Sequence, residues 1–258
     1  MPVEPTATYR LQLHRGFTLD DAADVIPYLA RLGVSHVYLS PFLQAVPGST
    51  HGYDVVDPRR VNPELGGEEA RLRLCAAADR ADIGQVLDIV PNHMAVEGAQ
   101  NPWWWDVLEN GPASPYAAYF DVDWESSEER WPNKILLPVL GDHYGRVLEA
   151  GDLVLRFGDG LFTLHYYEHC FPLDPSSLDA LLQRVYRRSG QELLGFLAES
   201  CARLPRPQAT ARALLERRQR DQEVIRHLLD EFCRKDAEAL ATLQAEIDWI
   251  NANPDALD

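Results

Sequence analysis

The first hundred residues predict an α/β fold built on parallel strands. Short apolar runs alternate with longer segments in which apolar residues recur every three or four positions. The apolar run that ends at Val90 is followed within three residues by Asn92 and His93. Because parallel strands are joined by helical crossovers, this alternation predicts a doubly wound sheet or a (β/α)8 barrel. Barrels of this kind build their active sites on loops at the carboxyl ends of the strands.

The first strand and the first helix carry separate signals. Thr8 to Leu13 is predicted as a strand, and a capping box at Thr18 to Asp21, with Asp where Glu is usual, predicts the start of a helix. Gly33 ends this helix. Pro27 lies inside the helical pattern and removes a hydrogen bond, so we expect an early break, a kink or a later start. Three residues of the strand share one face: Tyr9, Leu11 and Leu13.

Two more strands and one helix complete the predicted β-α-β-α-β unit. The second strand covers Val34 to Leu39, the second helix Glu68 to Ala81, and the third strand Gln85 to Val90. Gly84 separates the second helix from the third strand.

The regular alternation stops after Val96. Residues 97–150 are rich in Trp, Pro, Gly and Asn, and predict a long excursion from the third strand. Leu153 to Phe157 and Leu161 to Tyr167 predict a β-hairpin around a three-residue loop, Gly158-Asp159-Gly160. Apolar stripes from Ser177 onward predict helices.

The predicted organisation therefore has three parts. Residues 1–96 hold the β/α units, residues 97–175 a loop and hairpin insertion, and residues 176–258 a helical insertion subdomain. A closed (β/α)8 barrel needs eight strands and typically ~250 residues without insertions. Since this chain supplies three such strands, we expect an incomplete barrel and a fragment of a longer protein.

Composition and charge argue against several kinds of partner. A formal net charge of −16 argues against nucleic acid and against an anionic membrane surface, and is compatible with a neutral substrate such as a sugar. No signal peptide is visible, and no run approaches the roughly 18–20 apolar residues that span a bilayer. The scattered cysteines predict reduced, mostly buried thiols in a cytoplasmic protein: Cys75, Cys170, Cys201 and Cys233.

Two polar clusters follow predicted strands. In the first, which comprises His51, Gly52, Tyr53 and Asp54, a ring next to a carboxylate suits a sugar, although a turn with a packed tyrosine has the same pattern. In the second, Asp88, Asn92 and His93 offer hydroxyl-binding groups, or equally a capping Asp and a core His. Asp88 and Asn92 are also oxygen ligands that calcium accepts, but no dense carboxylate loop accompanies them.

Three weaker features lie further along the chain. One indole of Trp103-Trp104-Trp105 is a candidate sugar platform, although most of the three are expected to pack. Asp142, His143 and Tyr144 lie in a glycine-bracketed loop that predicts either a binding loop or an ordinary turn. His165, Glu168 and His169 suggest a metal, but alternation puts His165 and Tyr167 on one face, so we interpret them as strand positions. We predict no metal and no cofactor.

Taken together, these motifs resemble the α-amylase family of glycoside hydrolases. His51 to Asp54 and Asp88 to His93 are similar to two of its motifs, the latter being the family's first conserved region. Longer stretches resemble the family's maltooligosyltrehalose synthase subgroup: Thr8 to Leu13, Tyr38 to Pro41, Asn101 to Asn110, Leu137 to Gly145 and Tyr166 to His169. The resemblance implies the first three units of a (β/α)8 TIM barrel, with the helical tract as an insertion before the fourth strand.

The resemblance also implies a reaction and its partners. A maltooligosaccharide would have its reducing-end α-1,4 linkage turned into an α,α-1,1 linkage by retaining, intramolecular glucosyl transfer. Such chemistry needs a nucleophile and an acid about 5–5.5 Å apart. A maltooligosyltrehalose trehalohydrolase is the implied functional partner.

The resemblance assigns roles to the residues of both clusters. Tyr53 would stack on the sugar, His93 would bind its hydroxyl with His51 close by, and Asp88 would hold an arginine from beyond the chain. Asn92 would be a structural support, or a calcium ligand in those amylases that bind calcium, and both Asn92 and Asp54 are predicted substrate-binding residues. Further predicted substrate contacts are Trp103, Asp142, His143 and Tyr144.

The chain departs from the family where the catalytic carboxylates are expected. The family's nucleophile lies in an Arg-x-Asp segment, whereas residues 218–221 read Arg-Gln-Arg-Asp within a charged helix. We therefore expect the nucleophile and the acid/base beyond Asp258, and no activity from this chain alone. Two alternatives stay open: a hydrolase of the α-amylase type, and a non-catalytic module that binds α-glucan.

Overall fold

The computed structural model describes residues 4–96, 98–125, 133–208 and 211–253. The chain divides into two compact units, Met1–Pro102 and Trp103–Asp258, each with a hydrophobic core of its own. The division into three parts, residues 1–96, 97–175 and 176–258, stays a prediction.

The first unit alternates strands and helices. Its elements are, in chain order, β1 (Thr8–Leu11), α1 (Leu19–Leu32), β2 (His36–Leu39), β3 (Leu43–Ala45), β4 (Val55–Val61), α2 (Gly67–Arg80) and β5 (Gly84–Leu87), with short 3-10 turns at Pro63–Leu65 and Gly98–Gln100. Strands β1, β2 and β5 form one parallel sheet in the order β1-β2-β5. The parallel β-α-β-α-β arrangement predicted from the sequence is confirmed.

Of the three parallel strands, β1 and β5 end earlier than predicted, whereas β2 ends at Leu39 as predicted and begins two residues later, at His36. β1 ends at Leu11, and the Leu13 amide donates to the Ser40 hydroxyl at 2.9 Å. β5 ends at Leu87, although the Asp88 amide still donates to the Leu39 carbonyl. The chain segments that follow β1 and β5 therefore leave the sheet early and reach its carboxyl edge as loops.

Helix α1 runs unbroken from Leu19 to Leu32, so the expected break or later start at Pro27 is wrong. Pro27 lies on the exposed side of α1. Proline has no N–H to donate to the preceding helical turn, and a carbonyl that lacks this donor on the exposed side can bond to water. The predicted capping box is present: Thr18 accepts from the Asp21 amide, and Asp21 accepts from the Thr18 amide at 2.7 Å. Gly33 ends the helix in the left-handed conformation, with φ +85°.

An antiparallel hairpin, β3–β4, lies between β2 and α2 along the chain. Neither of its strands was predicted from the sequence. β3 has only three residues, and the pairing contains two register shifts, so no clear alternation marks it in the sequence. This hairpin carries the His51–Asp54 motif in the loop that joins its two strands.

The core of the first unit lies between the sheet and its two helices. Leu19, Ile26 and Leu29 of α1 pack with Ala70 and Leu74 of α2. At the opposite edge from the strand carboxyl ends, the buried His36 side chain lies against Gly84, where an added Cβ would come within 2.2 Å of the imidazole Nε2. The sheet is thus fixed at its amino end by close packing, which leaves the carboxyl edge for polar groups.

The second unit is mainly helical. Its elements are α3 (Pro102–Asn110), α4 (Tyr144–Glu149), β6 (Leu153–Gly158), β7 (Leu161–Tyr166), β8 (His169–Pro172), α5 (Asp179–Ser189), α6 (Glu192–Ala202), α7 (Arg212–Lys235) and α8 (Ala237–Ala252), with 3-10 turns at Gly111–Ala113, Ala117–Tyr119 and Pro175–Ser177. Its main core joins leucines of α5 and α6 to α7, α8 and the hairpin residues Leu155 and Phe162.

The predicted hairpin of the second unit is confirmed, but its loop has two residues instead of three. Gly158 pairs with Leu161, so only Asp159 and Gly160 lie outside the ladder. Both have positive φ, +50° and +73°, as a tight two-residue hairpin turn requires. A third strand, β8, pairs with β7 and was not predicted. Tyr167 was placed on one strand face with His165, which is wrong: it lies in the turn before β8, with φ +49°.

No helix within the described ranges is long and apolar enough to cross a membrane. All four cysteines are free thiols, as predicted. Cys201 and Cys233 are buried, whereas Cys75 and Cys170 are only partly buried. Burial raises the pKa of Cys201 to about 12 and that of Cys233 to about 11, so these two thiols stay protonated at neutral pH.

Candidate functional site

Strand register brings polar side chains of the first unit to one face at the carboxyl edge of the sheet. Arg10 of β1 lies beside Tyr38 of β2, which in turn lies beside Val86 of β5. Because side chains alternate along a strand, residues two positions further on, Gln12 and Asp88, face the same way. The early ends of β1 and β5 then leave these groups partly open to solvent.

Asp88 is the centre of this group. Its Oδ2 accepts hydrogen bonds from the Tyr53 hydroxyl at 2.6 Å, the Tyr38 hydroxyl at 2.9 Å and the Arg10 Nη1 at 3.3 Å. We call Arg10, Tyr38, Tyr53 and Asp88 the strand-end cluster. One carboxylate oxygen thus joins β1, β2, β5 and the β3–β4 loop.

The hydrogen bonds of the cluster keep Asp88 ionised. The bond from Tyr53, followed by those from Tyr38 and Arg10, lowers the pKa of the Asp88 carboxyl, and partial burial opposes this shift. The hydrogen bond that Tyr38 donates to Asp88 raises the pKa of the Tyr38 phenol. The hydrogen bond that Arg10 donates to Tyr53 raises the pKa of the Arg10 guanidinium. At neutral pH the cluster therefore contains the Asp88 carboxylate, the Arg10 guanidinium and the protonated Tyr38 phenol.

Arg10 contacts each other member of the cluster. Its Cζ lies 4.9 Å from the centre of the Tyr38 ring, a cation–π distance. Its Nη2 donates to Gln12 Oε1 at 3.1 Å and to the Tyr53 hydroxyl at 3.4 Å. Gln12 in turn donates from Nε2 to the Thr50 carbonyl at 3.2 Å, which connects β1 to the loop that carries Tyr53.

The loop that carries Tyr53 is closed by its own side chains. The Ser49 hydroxyl donates to Asp54 Oδ1 at 2.5 Å and accepts from the Gly52 amide at 3.1 Å. Gly52 has φ +77°, and a Cβ there would come within 2.3 Å of the Pro41 carbonyl oxygen. Only glycine fits this close approach. Asp54 therefore shapes the loop, whatever further role it has toward a ligand.

His51 lies next to Tyr53 and can present a donor. Its Nδ1 accepts from the Tyr53 amide at 3.1 Å, and the two rings are stacked with centroids 6.0 Å apart. Nδ1 also lies 3.6 Å from Asp54 Oδ1. In the neutral tautomer that accepts at Nδ1, the proton is on Nε2, so the exposed ring offers an N–H to a ligand.

Asn92 and His93 form a second, exposed pair beyond β5. His93 Nδ1 lies 3.2 Å from Asn92 Oδ1, and both side chains are exposed. Their segment is attached to the β3–β4 hairpin through the backbone, because the Ala95 amide donates to the Val55 carbonyl at 2.9 Å. Buried Asn101 donates to the Ala95 carbonyl at 2.7 Å and fixes the same turn.

The chemical groups of this arrangement suit a sugar. Tyr53 is 36% exposed and offers a ring face for the C–H side of a pyranose. The imidazoles of His51 and His93 offer donors and acceptors to hydroxyls. Asp88 does not fit a calcium ligand, because its Oδ2 already accepts three hydrogen bonds, one from a guanidinium whose charge repels a cation. In the described part of the chain, no group of three or more His, Cys, Asp or Glu side chains has the geometry to hold a metal.

The predicted site residues that lie in the second unit are Trp103, Asp142, His143 and Tyr144, and they do not belong to the strand-end cluster. Trp103, on α3, is 9% exposed and stacks on Tyr116 with centroids 5.2 Å apart, so little of its indole face is open. Asp142 accepts from the His143 amide at 2.7 Å, and Tyr144 is half exposed at the start of α4. Asp142, His143 and Tyr144 lie close together on the surface at the start of α4. The role of these three residues and of Trp103 toward a ligand stays a prediction.

His165, Glu168 and His169 occupy the β7–β8 hairpin. His165 faces Cys170 across the ladder, with its Nε2 3.0 Å from the Thr163 hydroxyl and 3.6 Å from the Cys170 sulfur. Burial lowers the pKa of His165, so the ring is neutral at neutral pH. The interpretation as strand positions is confirmed for His165 and His169 but is wrong for Glu168, which lies in the turn between β7 and β8.

Four residues that contact the predicted site residues or the loop that carries Tyr53 were not predicted from the sequence: Arg10, Gln12, Tyr38 and Ser49. A signal for two of them was present: if Leu11 and Leu13 face the core, Arg10 and Gln12 must face the other way, toward the predicted strand-end site. Tyr38 and Ser49 gave no signal of that kind, since a tyrosine in a strand and a serine in a turn are ordinary.

Comparisons with known proteins show what this chain is similar to. Residues 17–144 match the family model of the α-amylase catalytic domain. A putative maltooligosyl trehalose synthase of Mycobacterium tuberculosis is 44% identical over 203 residues, which cover 76% of this chain and 25% of that protein. The intracellular maltogenic amylase of Bacillus subtilis is 30% identical over 138 residues, 54% of this chain and 21% of that protein.

A solved structure extends the likeness to the fold. The maltooligosyltrehalose synthase from Arthrobacter ramosus is 48% identical, with a TM-score of 0.57 over 66% of this chain and 21% of that one. The chain thus spans about a quarter of the length of the relatives it matches.

Residues 17–144 belong to the α-amylase family, and the mixed α/β fold is a partial match to the TIM barrel of that family. Within the family, the chain resembles the maltooligosyltrehalose synthases, which confirms the predicted resemblance.

Proposed function

We propose that the first unit supplies one side of the sugar-binding site of an α-amylase-family enzyme that acts on maltooligosaccharides. The observation that carries this proposal is the hydrogen-bonded strand-end cluster, where Tyr53 meets Asp88 at 2.6 Å on the carboxyl edge of a parallel sheet. In this proposal the Tyr53 ring covers one pyranose face, and His51, Asp54, Asn92 and His93 surround its hydroxyls.

The reaction we propose is the conversion of a reducing-end α-1,4 linkage into an α,α-1,1 linkage. A carboxylate would displace the terminal glucose and form a glycosyl-enzyme, while an acid protonates the departing oxygen. The anomeric hydroxyl of that same glucose would then attack, release the carboxylate and return the proton. No atom is lost or gained, so the reaction is an isomerisation, provided that water is excluded. Similarity to maltooligosyltrehalose synthases over two thirds or more of this chain supports it.

We propose that strands β1, β2 and β5 with helices α1 and α2 are the first units of a (β/α)8 barrel, and that residues 97–175 and 176–258 are insertions. We also propose that these 258 residues alone do not catalyse the reaction. The nucleophile and the acid would come from further strands of the full-length protein. Supporting this, residues 218–221 belong to helix α7 and its salt bridges, as in Arg217 to Asp221 at 3.1 Å, and do not follow a strand.

The test is an assay of the full-length gene product on maltopentaose. We expect a product with an α,α-1,1 anomeric signal in proton NMR and a fall in reducing ends. A rise in reducing ends would instead identify a hydrolase. Sugar binding without conversion would identify a non-catalytic glucan module. The 258-residue chain alone is expected to yield no product, and measurable conversion by it would contradict the proposed location of the carboxylates.

A substitution tests the proposed sugar platform. Tyr53→Ala removes the ring and should weaken maltopentaose binding by about tenfold or more. Tyr28→Ala is the matched control, because Tyr28 is an exposed tyrosine on α1 of the same unit. Isothermal titration of both variants of the full-length protein measures the effect. Equal affinities for Tyr53→Ala and the control would contradict the platform role.

We further propose, from the resemblance, that the trehalose-ended product passes to a trehalohydrolase, and that the protein works in the cytoplasm. Four free thiols support a reducing compartment.

A further inference from the structure

Arg10 lies within reach of all the groups that determine where the Tyr53 hydroxyl points. Its Nη2 has two hydrogens, directed at Gln12 Oε1 and at the Tyr53 hydroxyl, and its Nη1 donates to Asp88. The guanidinium also stacks over Tyr38. Arginine has a planar fork of fixed geometry, so these contacts orient it in one plane.

We infer that Arg10 is a positioning residue for Tyr53: it holds the Asp88 carboxylate and the Tyr53 hydroxyl together and so sets the angle at which the ring meets a sugar. The inference deepens the proposed function and rests on it. Three of the five Arg10 N–H groups are used within the cluster, which supports a role in orienting the ring.

The need for such a residue follows from the position of Tyr53. Its backbone is fixed by the closed loop around Gly52, but its ring is partly exposed and can rotate about its side-chain bonds. The far end of the ring is fixed only if the acceptor is fixed. Asp88 supplies that acceptor, and Arg10 and Tyr38 hold the Asp88 carboxylate from the two neighbouring strands.

The first experiment measures the ring itself, without sugar. We would place 3-fluorotyrosine at position 53 of the full-length protein and record the fluorine NMR spectrum of wild type, Arg10→Met and Arg10→Lys. We expect one narrow line in wild type, a shifted and broadened line in Arg10→Met, and partial return toward wild type in Arg10→Lys. Arg73→Met is the matched control, because Arg73 pairs with Asp20 on the helical side of the same unit.

An Arg10→Met spectrum identical to wild type would overturn the inference, and so would a change of equal size in Arg73→Met. If Arg10→Met fails to fold, Arg10→Lys decides: an unchanged line overturns the inference, and a shifted line at unchanged melting temperature supports it.

The second experiment connects the position of the ring to the sugar. Arg10→Met should weaken maltopentaose binding by about five- to tenfold, and Tyr53→Phe, which keeps the ring but loses the hydroxyl, should do the same. Because both changes release the same ring, the double variant should bind no more weakly than either single variant. Losses that multiply would overturn the inference. If wild type binds no maltooligosaccharide, the proposed function fails, and the fluorine spectra still decide whether Arg10 positions Tyr53.

Discussion

Arginine and carboxylate side chains meet in both units, but under opposite conditions. In the first unit, Asp88 and Arg10 lie at an open edge, with Asp88 13% and Arg10 41% exposed. In the second unit, Arg218 is 1% exposed and bonds to Asn110, Asp174 and the Pro205 carbonyl. A buried arginine with every contact supplied by the protein stabilises the fold, whereas a partly exposed group at strand ends keeps surface available for a ligand.

The two kinds of carboxylate also differ in pKa. Hydrogen bonds lower the pKa of Asp88, whereas burial raises the pKa of Glu109 despite its contact with Arg226. Glu109 is almost fully enclosed, so loss of hydration outweighs the attraction of the arginine. An arginine partner therefore does not by itself mark a carboxylate as part of a binding site.

The largest expected effect is on the buried arginine. Arg218→Met removes three hydrogen bonds and leaves Asp174 without its cation, which should lower the free energy of unfolding of the second unit by about 3–5 kcal/mol. All six tryptophans lie in that unit, so tryptophan fluorescence during urea unfolding reports on it selectively. Arg212→Met, on the same helix but 92% exposed at its side chain, is the control and should change the midpoint little. Equal shifts for both would refute the structural role of Arg218.

The next effect concerns the loop that carries Tyr53. Gly52→Ala should cost about 3 kcal/mol, since its Cβ would overlap the Pro41 carbonyl in addition to the strain of positive φ. Gly48→Ala is matched, with φ +81° and no atom within 4 Å of the added Cβ, and should cost about 1 kcal/mol. Hydrogen exchange of peptides from β2 and β5, read by mass spectrometry, reports on the first unit. A loss for Gly48→Ala as large as that for Gly52→Ala would exclude the steric explanation.

The smallest effect is the opposite pH dependence of the two carboxylates. Because the folded pKa of Asp88 is lowered, its contribution to stability is present above about pH 3.9, the unfolded value, and is lost as pH falls through the folded pKa. For Glu109 the folded pKa is raised, so stability decreases as pH rises from about 4.3 through the folded value. Subtracting the unfolding curves of Asp88→Asn and Glu109→Gln from wild type across pH 2–7 should give slopes of opposite sign. Slopes of one sign would contradict the comparison.

The sequence predicted the first unit better than the second, for physical reasons. Parallel strands with helical crossovers give strong periodic signals, and Asp88 follows β5 as expected, whereas Tyr53 lies in the loop of the unpredicted β3–β4 hairpin. The β3–β4 hairpin gave no such signal, because one strand has three residues and the register shifts twice. β8 was missed since His169–Pro172 is short and ends in proline.

The cluster itself was only partly predictable. Asp88 and Tyr53 belong to recognisable motifs, but the contact between them depends on a loop whose shape is fixed by Ser49 and by the one residue type that fits at position 52. Arg10 joins the cluster through strand register, which no local pattern in the sequence specifies.

The most direct test of the central claim is a crystal structure of the full-length protein with a bound maltooligosaccharide. We predict a glucose ring against the Tyr53 face, with the Tyr53 hydroxyl still on Asp88 and an imidazole of His51 or His93 within hydrogen-bond distance of a sugar hydroxyl. A sugar bound away from the carboxyl ends of β1, β2 and β5, with Tyr53 making no contact to it, would contradict the account.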